Sequence, residues 1–108
     1  MDDPVHYTHA EWHVHSGREG EFIDAWRALA AAFGALPARP LWGTLLQSGR
    51  DPTTFFSFGP WRRAEDIGAM RDDAAAQAAL ARVTALCRSA TPGPCRRVAH
   101  VDLRERAG

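Results

Sequence analysis

Apolar and polar side chains alternate from Val5 to His15, the pattern of a half-buried strand. Successive strand residues point to opposite faces. Ala10, Trp12 and Val14, with Thr8 above them, form one face; Tyr7, His9, Glu11, His13 and His15 form the other. Ser16-Gly17-Arg18-Glu19 has the spacing of a capping box and predicts a helix running to about Phe33. Its stripe is Phe22, Trp26, Leu29 and Phe33, and Gly34 is a natural stop. Leu41–Ser48 reads as a second strand and Thr53–Phe58 as a third. Gly49-Arg50-Asp51-Pro52 turns between them. Gly59-Pro60 predicts the end of the third strand, because proline cannot continue a ladder. A short helix over Ala64–Arg71 follows. Asp72 or Asp73 then caps an alanine-rich helix reaching about Ser89, with the stripe Ala76, Leu80, Val83 and Cys87. Thr91-Pro92-Gly93-Pro94 reads as a break. Arg96–Arg104 reads as the last strand, with Ala99, Val101 and Leu103 on one face and Val98, His100 and Asp102 on the other.

The predicted order is β-α-β-β-α-β, with the second helical element split. That is the ferredoxin-like order of the α+β class, an antiparallel sheet with helices on one face. The whole chain, residues 1–108, is expected to form one domain. The first and last strands are expected to lie one strand apart. Ala10, Trp12, Val14, Ala99, Val101 and Leu103 should face the helices. The opposite face then carries Tyr7, His9, Glu11, His13, His100 and Asp102, with part of the Phe55–Phe58 strand. Leu41–Leu46 and Phe55–Phe58 are apolar at nearly every position, which is the mark of strands covered on both faces. A homodimer through the uncovered sheet face is therefore predicted, its two sheets enclosing a cavity.

Composition removes several classes of function. Thirteen basic and 13 acidic residues give zero net charge, which offers no electrostatic footprint for nucleic acid or anionic lipid. No apolar run approaches the length of a bilayer span. The acidic start Met1-Asp2-Asp3-Pro4 is unlike a secretory signal, so a cytoplasmic protein is expected. Cys87 and Cys95 do not make a disulfide framework and are expected to be reduced.

The ionisable face of the first strand holds the candidate chemistry. His9, Glu11, His13 and His100 have the residue types of a general base with its orienting partners. His9-x-Glu11-x-His13 also places three potential metal ligands roughly 6–7 Å apart from neighbour to neighbour. That spacing is not diagnostic, and the expectation is no metal.

Three stretches carry a resemblance. His15–Phe22 is similar to a polar strand end, glycine and acidic helix start. Gly43-Thr44-Leu45-Leu46-Gln47 is similar to a second strand. Phe56-Ser57-Phe58-Gly59-Pro60-Trp61, followed by Arg62-Arg63-Ala64-Glu65-Asp66-Ile67, is similar to a strand ending in tryptophan before an acidic helix start. In order and at these spacings they resemble the antibiotic biosynthesis monooxygenase domain, a dimeric α/β-barrel. The resemblance implies oxidation of a phenolic polyketide-like or quinol substrate by molecular oxygen, with no cofactor. Making the phenolate is what permits electron transfer to oxygen, and His9, Glu11, His13 or His100 would serve as base. The resemblance carries the cavity tryptophan onto Trp61, and Tyr7, Phe56, Phe58 and Asp102 are expected beside it as substrate contacts. A haem-degrading branch has the same fold, but it needs a histidine on the second helical segment, and Ala64–Ser89 contains none. This chain also has no asparagine, a residue some of these enzymes use. Two other readings stay open: a non-catalytic small-molecule-binding barrel, or a polyketide cyclase or isomerase on the same scaffold.

Overall fold

The computed structural model describes residues 3–104. Strand β1 (His6–Val14) leads into helix α1 (Glu19–Gly34). Strands β2 (Thr44–Gln47) and β3 (Thr54–Trp61) form a hairpin. Helices α2 (Ala64–Arg71) and α3 (Ala74–Thr84) follow, and strand β4 (Cys87–Arg96) closes the sheet. The sheet order is β2-β3-β1-β4, and every neighbouring pair is antiparallel.

The parity of β1 sets the layers. Ala10, Trp12 and Val14 are buried beneath the helices. They join Phe22, Ala25, Leu29, Phe55 and Val83 in the main core, with Trp26 and Phe33 of the predicted stripe packed against it. Phe22 sits between Trp12 and Phe55, at ring separations of 5.6 and 4.7 Å. A second cluster, Leu36, Trp61, Ile67, Met70 and Ala76, seals the far end.

Several boundaries differ from expectation, each for a local reason. The capping box does not form: Arg18 is the N-cap without a side-chain bond, and its guanidinium instead grips Glu21 at 2.7 and 2.9 Å. Asp73 does cap α3, its carboxylate accepting from the Ala76 amide at 2.9 Å. β2 is shorter than Leu41–Ser48 because Leu41–Gly43 leaves the ladder and crosses β3. The crossing is held by the Leu41 amide donating to the Pro60 carbonyl at 3.0 Å. It requires glycine at Gly59, where a Cβ would stand 2.3 Å from the Trp42 carbonyl oxygen.

The last strand is Cys87–Arg96, not Arg96–Arg104, and it pairs directly with β1 rather than lying one strand away. Helix α3 accordingly stops at Thr84. Pro92 and Pro94 do not break β4, because it is an edge strand. Two residues apart, they put their missing donors on the same side, where no neighbouring strand needs them. Residues 97–103 form no strand. Val98, Val101 and Leu103 there are 84, 72 and 87% exposed, so Val101 and Leu103 do not face the helices. His100 and Asp102 lie on this arm as well, and Asp102 is bound by Arg104 at 2.8 Å.

Candidate active site

Between the sheet and the helices lies a cavity of about 850 Å³. That is within the range of pockets that hold small molecules. Its floor is the helix-facing side of β1 and β3, including Thr8, Trp12, Ser57 and Trp61. Helix α1 contributes Trp26, Leu29 and Phe33, and the later helices contribute Met70, Arg71, Gln77 and Leu80. The Arg39–Gly43 crossing closes one side.

Two indole–hydroxyl pairs order the floor. Trp12 Nε1 donates to Ser57 Oγ at 2.9 Å. Trp61 Nε1 donates to Thr8 Oγ1 at 3.0 Å. Neither hydroxyl gives its own hydrogen to a protein acceptor among the described residues, so each keeps a donor for a ligand. Ala10 pairs with Ser57 and Thr8 with Gly59, which makes Thr8 and Ser57 diagonal neighbours on one face. Their Cβ atoms are roughly 7–8 Å apart or somewhat less. Gly59, without a side chain, lets the Trp42–Gly43 backbone close over the floor beside them. The floor is thus flat and aromatic, with two fixed hydroxyls.

The expected histidine cavity does not form. Trp61 is fully buried on the helix side, while Glu11 and His13 occupy the opposite face of β1. The reason is strand parity. β3 runs through Gly59-Pro60 to Trp61, so Phe55, Ser57, Gly59 and Trp61 share the helix face. Of the four proposed catalytic residues only His9 contributes to the cavity wall, and His100 is on the C-terminal arm. Among the expected substrate contacts Trp61 and Phe58 line the cavity; Tyr7, Phe56 and Asp102 do not. Tyr7 and Phe58 both pack edge-on against Trp42, at ring separations of 6.2 and 6.0 Å.

Glu11 and His13 do meet, with Oε2 2.6 Å from Nε2. The other His13 nitrogen is 3.3 Å from the Thr54 hydroxyl, which donates to Asp51 at 3.0 Å. This chain runs along the half-exposed face away from the cavity. Among the described residues no three metal-ligating side chains converge.

Ser57 and Thr8 were legible only through parity. Ser57 interrupts an otherwise aromatic strand at a helix-facing position, and Thr8 stands one step above Ala10 on the buried strip.

Solved structures share this architecture. A point mutant of SnoaB, a cofactor-independent oxygenase from Streptomyces nogalater, superposes with a TM-score of 0.79 over 95% of this chain and all of its own, at 18% identity. The chain has the fold of the antibiotic biosynthesis monooxygenases. Two structures assigned to that group, from Bordetella bronchiseptica and Nitrosomonas europaea, give TM-scores of 0.77 and 0.73. Their identities are 16 and 18%, over 90 and 88% of this chain and all of theirs. No family model and no curated protein matches the sequence. Trp61, at the end of the hairpin, packs under α2 and α3, and no helix among the described residues is long and apolar enough to cross a membrane.

Proposed function

We propose that the protein is a monooxygenase that oxidises a flat phenolic ring system with molecular oxygen in the cavity between sheet and helices. The observation that carries this reading is the floor itself: buried Trp12 and Trp61 each fix a hydroxyl, Ser57 and Thr8, inside an aromatic chamber. The fold shared with SnoaB supports the reaction type and its freedom from a cofactor.

The chemistry follows from the walls. Aromatic faces stack a planar ring and exclude water, which strengthens every polar contact inside. A hydroxyl that donates to a substrate oxygen favours its ionised form. The resulting phenolate or enolate is electron-rich enough to reduce oxygen. For an anthrone, the ring CH2 becomes C=O. One atom of O2 enters as that carbonyl and the other leaves as water, the substrate supplying all four electrons. Ser57 and Thr8 hold the substrate oxygen, and Trp61 and Phe33 (ring separation 5.6 Å) wall the ring.

The working form is proposed to be a homodimer through the sheet face opposite the helices. That face exposes Trp42 and Leu46, and the C-terminal arm exposes Val98, Val101 and Leu103. A partner sheet would remove this apolar surface from water.

A cyclase or isomerase is less well supported, because no carboxylate lines the cavity among the described residues. Binding without turnover is the competing reading. Oxygen-electrode assays with anthrones and quinols separate the two. Stoichiometric oxygen uptake with quinone formation is expected; tight binding of the same compounds without uptake would leave only the binder.

A further inference from the structure

Two arginines line the cavity and no acid does. Arg39 stands on the crossing between α1 and β2, and Arg71 is the last residue of α2. Both are exposed. Neither forms an ion pair among the described residues; Arg50, Arg62, Arg82, Arg88 and Arg96 form none either, but those five do not line the cavity. The imbalance is local, since the chain has 13 acidic residues against 13 basic ones. Two separate elements thus bring like charge to the wall of one cavity, which favours a counter-charge there. A guanidinium fork matches a carboxylate in shape and hydrogen-bond direction.

Taking the cavity as the substrate site, we infer that its substrate is an aromatic carboxylate. Arg39 and Arg71 hold the acid group at the rim while the ring reaches Trp61 and the Ser57 and Thr8 hydroxyls. A rim position keeps the carboxylate hydrated and avoids the cost of burying a charge. It also orients the ring, because the charged end cannot enter the aromatic floor. The arginines are specificity-determining residues, remote from the oxygen chemistry.

The test uses two probes that differ only at this end: 4,5-dihydroxyanthraquinone-2-carboxylate and its 2-hydroxymethyl analogue. Affinities are read from quenching of tryptophan fluorescence, for the wild type, R39Q, R71Q and the double variant. The wild type should bind the acid about fivefold or more tightly than the alcohol at low salt, and the preference should shrink as salt rises. Each single variant should reduce the preference, and the double variant should abolish it with the alcohol's affinity unchanged. The unchanged alcohol separates recognition from a merely structural role, such as Arg71 complementing the α2 C-terminus, which would weaken both probes alike. Equal wild-type affinities, or a preference that survives in the double variant, would overturn the inference and leave the cavity reading standing. If neither probe binds, the cavity reading falls and the inference falls with it.

Discussion

Trp12 and Ser57, 45 positions apart, meet inside the protein with indole Nε1 donating to hydroxyl Oγ across 2.9 Å. The contact joins β1 to β3 beneath the helices, on the cavity side of the sheet. Trp12 is 2% exposed, so its N–H has little access to bulk water. Ser57→Ala strands that donor and should cost about 1–3 kcal/mol. Ser57→Thr, which keeps the hydroxyl, should recover part of the loss. Urea unfolding of the two variants measures this; an unchanged midpoint for Ser57→Ala would mean the bond is not formed.

Gly59 sets the other wall. A Cβ there would stand 2.3 Å from the Trp42 carbonyl oxygen and 3.3 Å from the Gly43 Cα, both backbone atoms that cannot swing away like a side-chain tip. Gly59→Ala should therefore cost about 1–3 kcal/mol. It should also push the Leu41–Gly43 crossing off β3, weakening binding of any ligand that rests against that wall. Thermal unfolding together with a binding titration checks both.

Much of this arrangement was legible in the sequence. The alternation around Ala10, Trp12 and Val14 fixed which face is buried, and the Phe22, Trp26, Leu29 and Phe33 stripe fixed how α1 lies on it. Two readings failed because a local signal was given more weight than its context. Gly59-Pro60 reads as a strand end, yet the ladder continues through Pro60, which pairs with Tyr7, to Trp61. Counting by twos from Phe55 would have put Trp61 on the face of Trp12 and away from His13. Thr91-Pro92-Gly93-Pro94 reads as a break, yet an edge strand needs donors on one side only. The alternation at Val98–Leu103 then supplied a false last strand and carried His100 and Asp102 into the expected site. Strand order was also beyond reach: nothing local states that Thr8 and Ser57 are diagonal neighbours.

Acid should loosen the β2–β3 turn. The Thr53 hydroxyl and amide and the Thr54 hydroxyl hold the Asp51 carboxyl below its ordinary range. A depressed folded value means the stabilisation is present above the unfolded value, about 4, and is lost as pH falls through the folded one. Wild-type stability should thus drop below about pH 4. Asp51→Asn should flatten that part of the drop. Superimposable acid limbs in the two proteins would show that the turn contributes nothing.

The dimer proposal has a direct check in solution. A stable pair buries roughly 1,200–2,000 Å² in total. Sedimentation at micromolar concentration should give twice the chain mass of 11.9 kDa. Leu46→Glu, which adds a charge at a half-exposed position on the open face, should shift the protein toward monomer while the helix-side core stays folded. A wild type that sediments as a monomer contradicts the proposal.

The side of the sheet on which the proposed oxidation occurs is tested most directly by oxygen uptake with an anthrone substrate in two variants, Ser57→Ala and His13→Gln. Ser57 faces the cavity, while His13 faces away and is held by Glu11 at 2.6 Å. With folding verified by circular dichroism, Ser57→Ala should lower turnover by about 10²-fold, the typical loss when one hydrogen-bond donor to a developing oxyanion is removed. His13→Gln should turn over like the wild type. Loss of activity in His13→Gln with Ser57→Ala intact would put the chemistry on the opposite face and contradict the account.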